Sequence, residues 1–192
     1  MKMKNKATTN LFFAKILIKW TVGINMKYLS ASELKRCLNK AIDSNFKHLA
    51  VLETLAGSGV RVSELINITV NNIDFENHKI TVLGKGNKIR DIYISQSLVN
   101  TLKLYVQTKN LRSFDKLFPY RRQSVYNICK RYSSKGPHAF RHTYAIHVLR
   151  ATNNVEFLRQ QLGHENLKTT GIYLRHSNFE QEKKKLEDIY DD

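Results

Sequence analysis

Six residues, widely spaced along the chain, have side chains that suit chemistry on a phosphate group. They are two arginines, a lysine, two histidines and a tyrosine: Arg61, Lys85, His138, Arg141, His164 and Tyr173. His138 and Arg141 are three residues apart, a spacing that places both on one face of a helix. The set contains neither a cluster of carboxylates nor the ligands of a metal site, so we expect no metal and no cofactor.

Together these residue types favour metal-free attack of a tyrosine hydroxyl on a phosphodiester. Two guanidinium groups match the charge that develops on the phosphate oxygens and stay protonated at neutral pH. A lysine or a histidine can protonate the departing alkoxide. Tyrosine can form a covalent phosphoester, which stores the energy of the broken bond and removes the need for ATP.

The composition points to a polyanionic substrate. The chain has 192 residues, of which 32 are Lys or Arg and 16 are Asp or Glu, so its formal net charge is +16. The basic excess extends through the middle of the chain, and double-stranded DNA is therefore the expected partner. With 42% hydrophobic residues, the chain is long enough to fold around a core of its own.

Cysteine usage and hydropathy predict a cytoplasmic protein. Cys37 and Cys129 lie far apart, which argues against both a zinc site and a disulfide framework. Lys15 and Lys19 interrupt the apolar run near the N-terminus, so this run does not fit a signal peptide. No uncharged apolar stretch approaches the roughly 18 residues that a membrane-spanning helix needs, and no membrane contact is expected.

Periodicity predicts a mainly helical α+β domain with a small three-stranded antiparallel sheet. Ser30 and Glu33 have the spacing of a capping box at the start of the first helix, and Gly57-Ser58-Gly59 ends the second. Three short runs rich in Ile and Val, 72–76, 78–83 and 89–94, predict the strands. Further helices are expected at 61–68, 97–108, 122–132, 138–151, 155–162, 167–174 and 179–190.

Three blocks of the sequence resemble the catalytic domain of the tyrosine recombinases, the phage-integrase family, and its Xer group in particular. The blocks are LAGSGVRVSELINITVNNIDFENHKITVLGKGNKIR (55–90), HAFRHTYAIHVL (138–149) and LGHENLKTTGIYL (162–174). The resemblance implies a site-specific recombinase that cleaves and rejoins DNA strands through a 3′-phosphotyrosyl intermediate, without metal or ATP. It also implies a homo-oligomer that assembles as a tetrameric synapse on DNA.

Three of the six residues are implied by the resemblance to bind the scissile phosphate. Arg61 and Arg141 would clamp it, and His164 would hydrogen-bond one of its oxygens. Glu64 resembles the acidic residue that supports the first arginine in this family, although a charge on the helix surface is an equally good interpretation. Eight other basic residues are candidates for contacts with the DNA backbone: Lys35, Lys40, Lys47, Arg90, Arg121, Arg122, Lys130 and Arg131.

The other three residues are implied to carry out the reaction itself. Tyr173 would attack the phosphorus, Lys85 would protonate the 5′ leaving oxygen, and His138 would act as an acid–base partner near the nucleophile. Lys88 is an alternative to the lysine of this set, because both belong to the same turn.

Several other residues of similar type have simpler interpretations. Tyr144 and Tyr190 are rival nucleophiles, but Tyr144 fits a core position and Tyr190 lies in an acidic tail that would repel a phosphate. His142 and His147 are interpreted as packing or surface histidines and are left out of the candidate site.

The resemblance divides the chain into three segments. Residues 1–28 form a basic N-terminal segment, 29–176 the catalytic domain, and 177–192 a helical tail that in this family docks on a neighbouring protomer. Most family members carry an additional N-terminal helical domain that closes around the DNA, and we expect this chain to lack one. The alternative functions are therefore a DNA-binding accessory factor or an integrase remnant; a type IB topoisomerase shares the chemistry but fits the Xer-like blocks less well.

Overall fold

The computed structural model describes residues 27–164 together with Thr170 and Tyr173. Within these residues the elements are α1 (Ala31–Ser44), α2 (Phe46–Ser58), α3 (Val62–Leu65), β1 (Ile73–Asp74), β2 (Lys79–Leu83), β3 (Ile89–Tyr93), α4 (Gln96–Thr108), α5 (Arg122–Ser133), α6 (Pro137–Thr152) and α7 (Val155–Leu162). The predicted α+β architecture is confirmed. The predicted helix 179–190 and most of 167–174 and of the segment 1–28 lie outside the described residues.

The first helices begin and end as the sequence predicts. The side chain of Ser30 accepts a hydrogen bond from the backbone N–H of Glu33 at 3.2 Å, and the Glu33 carboxylate accepts one from the backbone N–H of Ser30 at 2.7 Å. This reciprocal pair is the predicted capping box. Gly59 ends α2 in the left-handed conformation, with a φ of 63°.

Helix α3 is shorter than the predicted helix 61–68 because the chain after it pairs with a distant loop. The backbone N–H of Leu117 donates to the carbonyl of Ile68 at 2.9 Å, and that of Val70 donates to the carbonyl of Asp115 at 3.1 Å. These long-range bonds hold the chain in a conformation that cannot continue the helix. After Ile66 the backbone bonds tighten to i→i−3 spacing, from Asn67 to Glu64 and from Ile68 to Leu65, and the α-helix does not continue.

The three strands form an antiparallel sheet in the order β1-β2-β3. Ile80 of β2 pairs with Ile73 of β1 and with Ile92 of β3, and all three side chains are buried in the core. The hairpin between β2 and β3 ends in the short 3₁₀ turn Lys85–Asn87, where Gly86 has a φ of 72°. The predicted turn between two glycines is therefore present.

Helix α2 is the central element of the core. It packs against α1, α4 and α6, and its buried side chains join a cluster that includes the inner face of the sheet. A second cluster forms where α6 packs against α7, and it contains Tyr144, Leu158, Leu162 and Tyr173. The candidate nucleophile is thus held by the packing of these two helices. None of the helices in the described part of the chain is long and apolar enough to cross a bilayer.

Glu53 on α2 is a polar side chain that this core satisfies only in part. It is hydrogen-bonded to Thr101 of α4, but its Oε2 atom is buried and has no partner among the described residues. Burial raises the pKa of Glu53 above its ordinary value, and the bond with Thr101 offsets only part of this effect. The ionised carboxylate is therefore a destabilising group in the folded chain.

Replacing Glu53 by glutamine is expected to stabilise the fold at neutral pH. The pKa of this carboxyl is higher in the folded chain than in the unfolded chain. Its contribution to stability is therefore fully present below the unfolded pKa and is lost as the pH rises through the folded pKa. The free energy of unfolding should rise by about 1 kcal/mol near pH ~8 and by less near pH ~5. Urea denaturation at both pH values tests this, with the exposed Glu76→Gln as the control. An equal gain at both pH values would contradict the charge argument.

Candidate active site

A tight turn at the end of α2 positions Arg61 in the site. A Cβ atom at Gly59 would lie 2.4 Å from the ring of Tyr144, and the φ there is positive, so glycine alone fits. Two residues later, Arg61 occupies the N-terminal flank of α3. Its side chain is 34% exposed, which leaves the guanidinium accessible to a ligand.

A buried carboxylate holds Arg61 in place. Glu64 accepts hydrogen bonds from the backbone N–H of Arg61 at 2.7 Å and from its Nη1 at 2.9 Å. The Glu64 side chain is only 3% exposed. Burial alone would raise the pKa of Glu64, but hydrogen bonds from Arg90 and Arg61 outweigh it and hold the pKa below its ordinary value. Of the two interpretations that the sequence allows, a buried support is the one observed.

Arg90 completes this charge cluster. Its Nη1 and Nη2 each donate to the Glu64 carboxylate at 2.9 Å, and its Nε donates to the backbone carbonyl of Gln161 at 3.1 Å. The side chain is only 13% exposed and uses three of its five donors within the fold. Its contact with the DNA backbone stays a prediction. Arg90 connects the β2–β3 hairpin to α3 and α7.

Arg141 lies near the start of α6 and is 6% exposed. Its Nη1 donates to the carbonyl of Gly59, and its Nη2 donates to the carbonyl of Leu162 at 2.7 Å. These carbonyls end α2 and α7, where the helix dipole favours a cation. Burial and the nearby Arg61 guanidinium lower the pKa of Arg141 to about 10, which leaves it protonated at neutral pH.

His164 lies beside Arg141, after the left-handed Gly163 that ends α7. Its Nε2 is 3.2 Å from Nη2 of Arg141, and its Nδ1 is 3.1 Å from the hydroxyl of Thr170. A guanidinium can only donate, so Nε2 accepts and the ring proton is assigned to Nδ1. Burial and the charge of Arg141 lower the pKa of His164 to about 4, so the ring is neutral at neutral pH.

Tyr173 contacts two histidines. Its hydroxyl is 2.9 Å from Nδ1 of His142, and its ring stacks on that of His164, with centroids 6.4 Å apart and an angle of 12°. Burial raises the pKa of Tyr173, while the charges of Arg141 and Arg61 act in the opposite direction. His142, which the sequence pattern left out of the candidate site as a packing or surface residue, contacts the hydroxyl of Tyr173.

An open pocket of about 230 Å³ lies between the start of α3 and the start of α6. Arg61, Arg141, His138 and Arg122 line it. His138 is exposed in the first turn of α6. The hydroxyl of Tyr173 is hydrogen-bonded to His142 and not to His138. The pocket therefore presents three guanidinium groups and an imidazole, a suitable lining for a phosphodiester.

The remaining candidates are placed as follows. The main chain of Lys85 lies at the tip of the β2–β3 hairpin. Tyr144 is buried and donates to Oε1 of Gln161 at 3.1 Å, so the prediction that it is a core residue is confirmed. Tyr190 lies outside the described residues.

Among the described residues, no group of three or more His, Cys, Asp or Glu side chains is arranged to hold a metal ion.

Gln161 is a structural residue of the site that the motifs do not mark. It is 2% exposed, and its Oε1 accepts hydrogen bonds from Tyr144 and from the backbone N–H of Tyr93 at 2.9 Å. Its own carbonyl accepts from Arg90. This one residue therefore joins α6, α7 and β3 behind the charged groups.

The sequence profile of the Phage integrase family matches residues 27–180, and the chain belongs to this family. It is 33% identical over 166 residues to tyrosine recombinase XerA of Pyrococcus horikoshii, covering 78% of this chain and 56% of that protein. The chain therefore spans a little over half the length of this curated relative.

Solved structures of recombinases share this fold. The crystal structure of XerA recombinase matches with a TM-score of 0.70 and 29% identity, over 79% of this chain and 59% of that one. The Tn1549 transposon integrase, in complex with transposon right end DNA, matches with a TM-score of 0.68 and 19% identity, over 87% of this chain and 67% of that one. At this lower identity the likeness shows the fold alone.

Proposed function

We propose that this chain cleaves and rejoins DNA strands at specific sites through a 3′-phosphotyrosyl intermediate. The observation that carries the proposal is the connection of Arg141, His164 and Tyr173 in one site, beside the pocket that Arg61 and His138 also line. In metal-free phosphoryl transfer, a tyrosine oxygen can supply the nucleophile, and guanidinium and imidazole groups can stabilise the developing charge and transfer protons.

The two guanidinium groups are assigned to the phosphate. Three N–H groups of Arg141 donate to Gly59, Leu162 and His164, which leaves two of its five for phosphate oxygens. Arg61 is held from behind by Glu64, so its exposed side faces the same pocket. When the ring proton of His164 moves to Nε2, this atom no longer accepts from Arg141 and becomes a further donor, a change that a bound phosphate anion favours.

The reaction exchanges one phosphodiester for another. The oxygen of Tyr173 bonds to phosphorus while the bond to the 5′ oxygen breaks. Lys85 is assigned to protonate that oxygen, and His138, which lines the pocket, is assigned an acid–base role. Rejoining reverses these steps when the 5′-hydroxyl attacks the phosphotyrosyl bond. The reaction as proposed uses no metal and no ATP.

Double-stranded DNA is the proposed substrate. The net charge of +16 favours a polyanion, and all eight basic residues predicted to contact its backbone are exposed or half-buried: Lys35, Lys40, Lys47, Arg90, Arg121, Arg122, Lys130 and Arg131. The Tn1549 transposon integrase, which shares the fold, is bound to DNA in its structure. The buried free thiols of Cys37 and Cys129 fit a reducing, cytoplasmic setting.

The assembly and the segment boundaries belong to the same proposal. Residues 29–176 would form the catalytic domain, 1–28 a basic extension and 177–192 a tail that docks on a neighbouring protomer in a tetramer. Chemical cross-linking of the chain on its DNA site tests this arrangement. Protein that remains monomeric on DNA would contradict it.

Covalent capture of DNA tests the proposed function. The tagged chain is supplied with host DNA and denatured, and the DNA that stays attached to it is sequenced. We expect discrete DNA ends with the unmodified chain and none with Tyr173→Phe, because phenylalanine lacks the oxygen that forms the bond. Tyr144→Phe is the matched control, a second buried tyrosine of the same cluster, and should still be captured.

The other outcomes of this capture have defined meanings. Discrete ends with both the unmodified chain and Tyr173→Phe would show that another residue attacks. No adduct from a chain that binds DNA, in an experiment where a known recombinase is captured, would contradict cleavage and favour a DNA-binding accessory role.

A further inference from the structure

The hydroxyl of Tyr173 has a hydrogen-bond partner outside the six-residue pattern. Nδ1 of His142 lies 2.9 Å from this oxygen, and the centroids of the two rings are 5.7 Å apart. His142 lies on α6, one turn after His138, and is half-buried. The imidazole that touches the attacking atom is therefore the one that the motif does not assign.

We propose that His142 is a catalytic proton acceptor, which takes the phenolic proton of Tyr173 during cleavage and returns it during rejoining. The proposal rests on the proposed function, because it concerns the same reaction. His142 is assigned the transfer of the Tyr173 proton, and Lys85 remains the acid that protonates the 5′ leaving oxygen.

The direction of the hydrogen bond supports this role. A tyrosine with a raised pKa keeps its proton at neutral pH and donates it, so Nδ1 of His142 accepts and the ring proton is assigned to Nε2. Burial, together with the charges of His138 and Arg141, lowers the pKa of His142. The ring is then neutral before the reaction, which is the state that a general base requires.

A bound phosphodiester would promote the proton transfer. Attack requires the phosphorus to come within about 3–3.5 Å of the tyrosine oxygen, and this places a negative group near His142. An imidazolium at His142 is disfavoured by the neighbouring charge of Arg141, and a phosphate anion offsets that repulsion. The base therefore becomes stronger when substrate is present, which couples activation of Tyr173 to DNA binding.

Atoms and electrons balance in this step. The O–H bond of Tyr173 breaks as its oxygen bonds to phosphorus, and the proton moves to Nδ1 of His142. The bond from phosphorus to the 5′ oxygen breaks with its electron pair on that oxygen, which takes a separate proton from Lys85. In rejoining, the 5′-hydroxyl returns its proton to Lys85 as its oxygen bonds to phosphorus. The phosphotyrosyl bond breaks, and the departing tyrosine oxygen recovers its proton from His142.

His142→Asn separates proton transfer from positioning. The amide oxygen of asparagine can take the place of Nδ1 and accept the hydrogen bond, but it cannot hold the proton. The measurement is the single-turnover rate of adduct formation on a duplex with the sequence captured by the unmodified chain. This duplex carries a 5′-bridging sulfur at the scissile link, because a thiolate leaves without a proton. We expect the rate to fall about 10²–10⁴-fold and to increase with pH as hydroxide replaces the base.

Two further variants control this experiment. His147→Asn changes another half-buried histidine of α6 and should react at the unmodified rate. His142→Ala should be slow and should regain activity when imidazole is added. Among the described residues, the charged or titratable groups around His142 are His138, Arg141, His164 and Tyr173. Because these groups also titrate, pH profiles are compared between variants.

Each result decides the proposal. An unmodified rate for His142→Asn overturns it and leaves the proposed function intact. A slow His142→Asn without the increase at high pH, or a His142→Ala that imidazole does not rescue, also overturns it because the role is then structural. No adduct from the unmodified chain overturns the proposed function and this step with it.

Discussion

Glu64→Gln is expected to lower the free energy of unfolding by about 3–5 kcal/mol, since it breaks a buried ion cluster and leaves a guanidinium unpaired. Arg90 donates two hydrogen bonds to the Glu64 carboxylate, and its side chain is only 13% exposed. A glutamine amide presents one oxygen and one NH₂ group, so one of these two bonds becomes a contact between donors. The remaining charge of Arg90 is then poorly compensated.

The pH dependence of this effect has a definite sign. The pKa of Glu64 is lower in the folded chain than its ordinary value of 4.5. A group of this kind stabilises the fold above its unfolded pKa and loses that contribution as the pH falls through the folded pKa. The difference in the free energy of unfolding between the unmodified chain and Glu64→Gln should therefore be largest near neutral pH and become smaller below pH 4.5.

Glu156→Gln is the matched control for this prediction. Glu156 also forms an ion pair with an arginine, Arg159, at 2.6 Å, but its side chain is 51% exposed. Because exposed pairs contribute little, no measurable change in stability is expected there. Urea denaturation of the three proteins provides the comparison, and equal effects of the two substitutions would refute the argument from burial.

Glu64→Gln should also impair the chemistry, because the same carboxylate orients Arg61. Glu64 accepts one bond from Arg61 on each of its oxygens, from Nη1 and from the backbone N–H, and the single oxygen of glutamine can keep only one of them. The guanidinium is then held less firmly at the pocket. The rate of adduct formation should therefore fall even under conditions where the variant is fully folded. Folded fraction and rate are measured on the same sample, which separates the two effects.

The parts of the fold that local rules govern were predictable from the sequence. The capping box of Ser30 and Glu33 depends on residues three apart, and the left-handed end of α2 at Gly59 depends on one residue type. By contrast, α3 ends early because of hydrogen bonds between segments far apart in the chain, such as that from Leu117 to Ile68. No local pattern contains that information.

The same distinction between local patterns and long-range contacts applies to the residues of the candidate site. The order of residue types pointed to Arg141, His164 and Tyr173, which the structure brings into contact through His164. The contact of His142 with Tyr173 and that of Arg90 with Glu64 were not predicted, because these partners are 31 and 26 residues away in the chain. A lone histidine on a helix or an arginine on a strand looks the same in a sequence whether it packs, faces solvent or serves a site.

Arg141→Lys is expected to slow adduct formation by about 10²–10³-fold, the usual loss when one donor to a developing negative charge is removed. Lysine keeps the positive charge, but it is a point charge with three donors and cannot reproduce the planar fork. Arg141 needs that fork, because it reaches Gly59, Leu162 and His164 while keeping donors for a phosphate. The substitution is therefore not conservative at this position.

The same change should destabilise the fold, because Arg141 also satisfies two main-chain carbonyls at helix ends. Leaving one of them unpaired in the interior should cost about 1–3 kcal/mol. Arg150→Lys, at an exposed position in the last turn of the same helix, should change neither stability nor rate. Thermal unfolding and single-turnover kinetics on both variants provide the measurement. A normal rate for Arg141→Lys would mean that the phosphate needs only a positive charge there, and the fork geometry would then have a purely structural purpose.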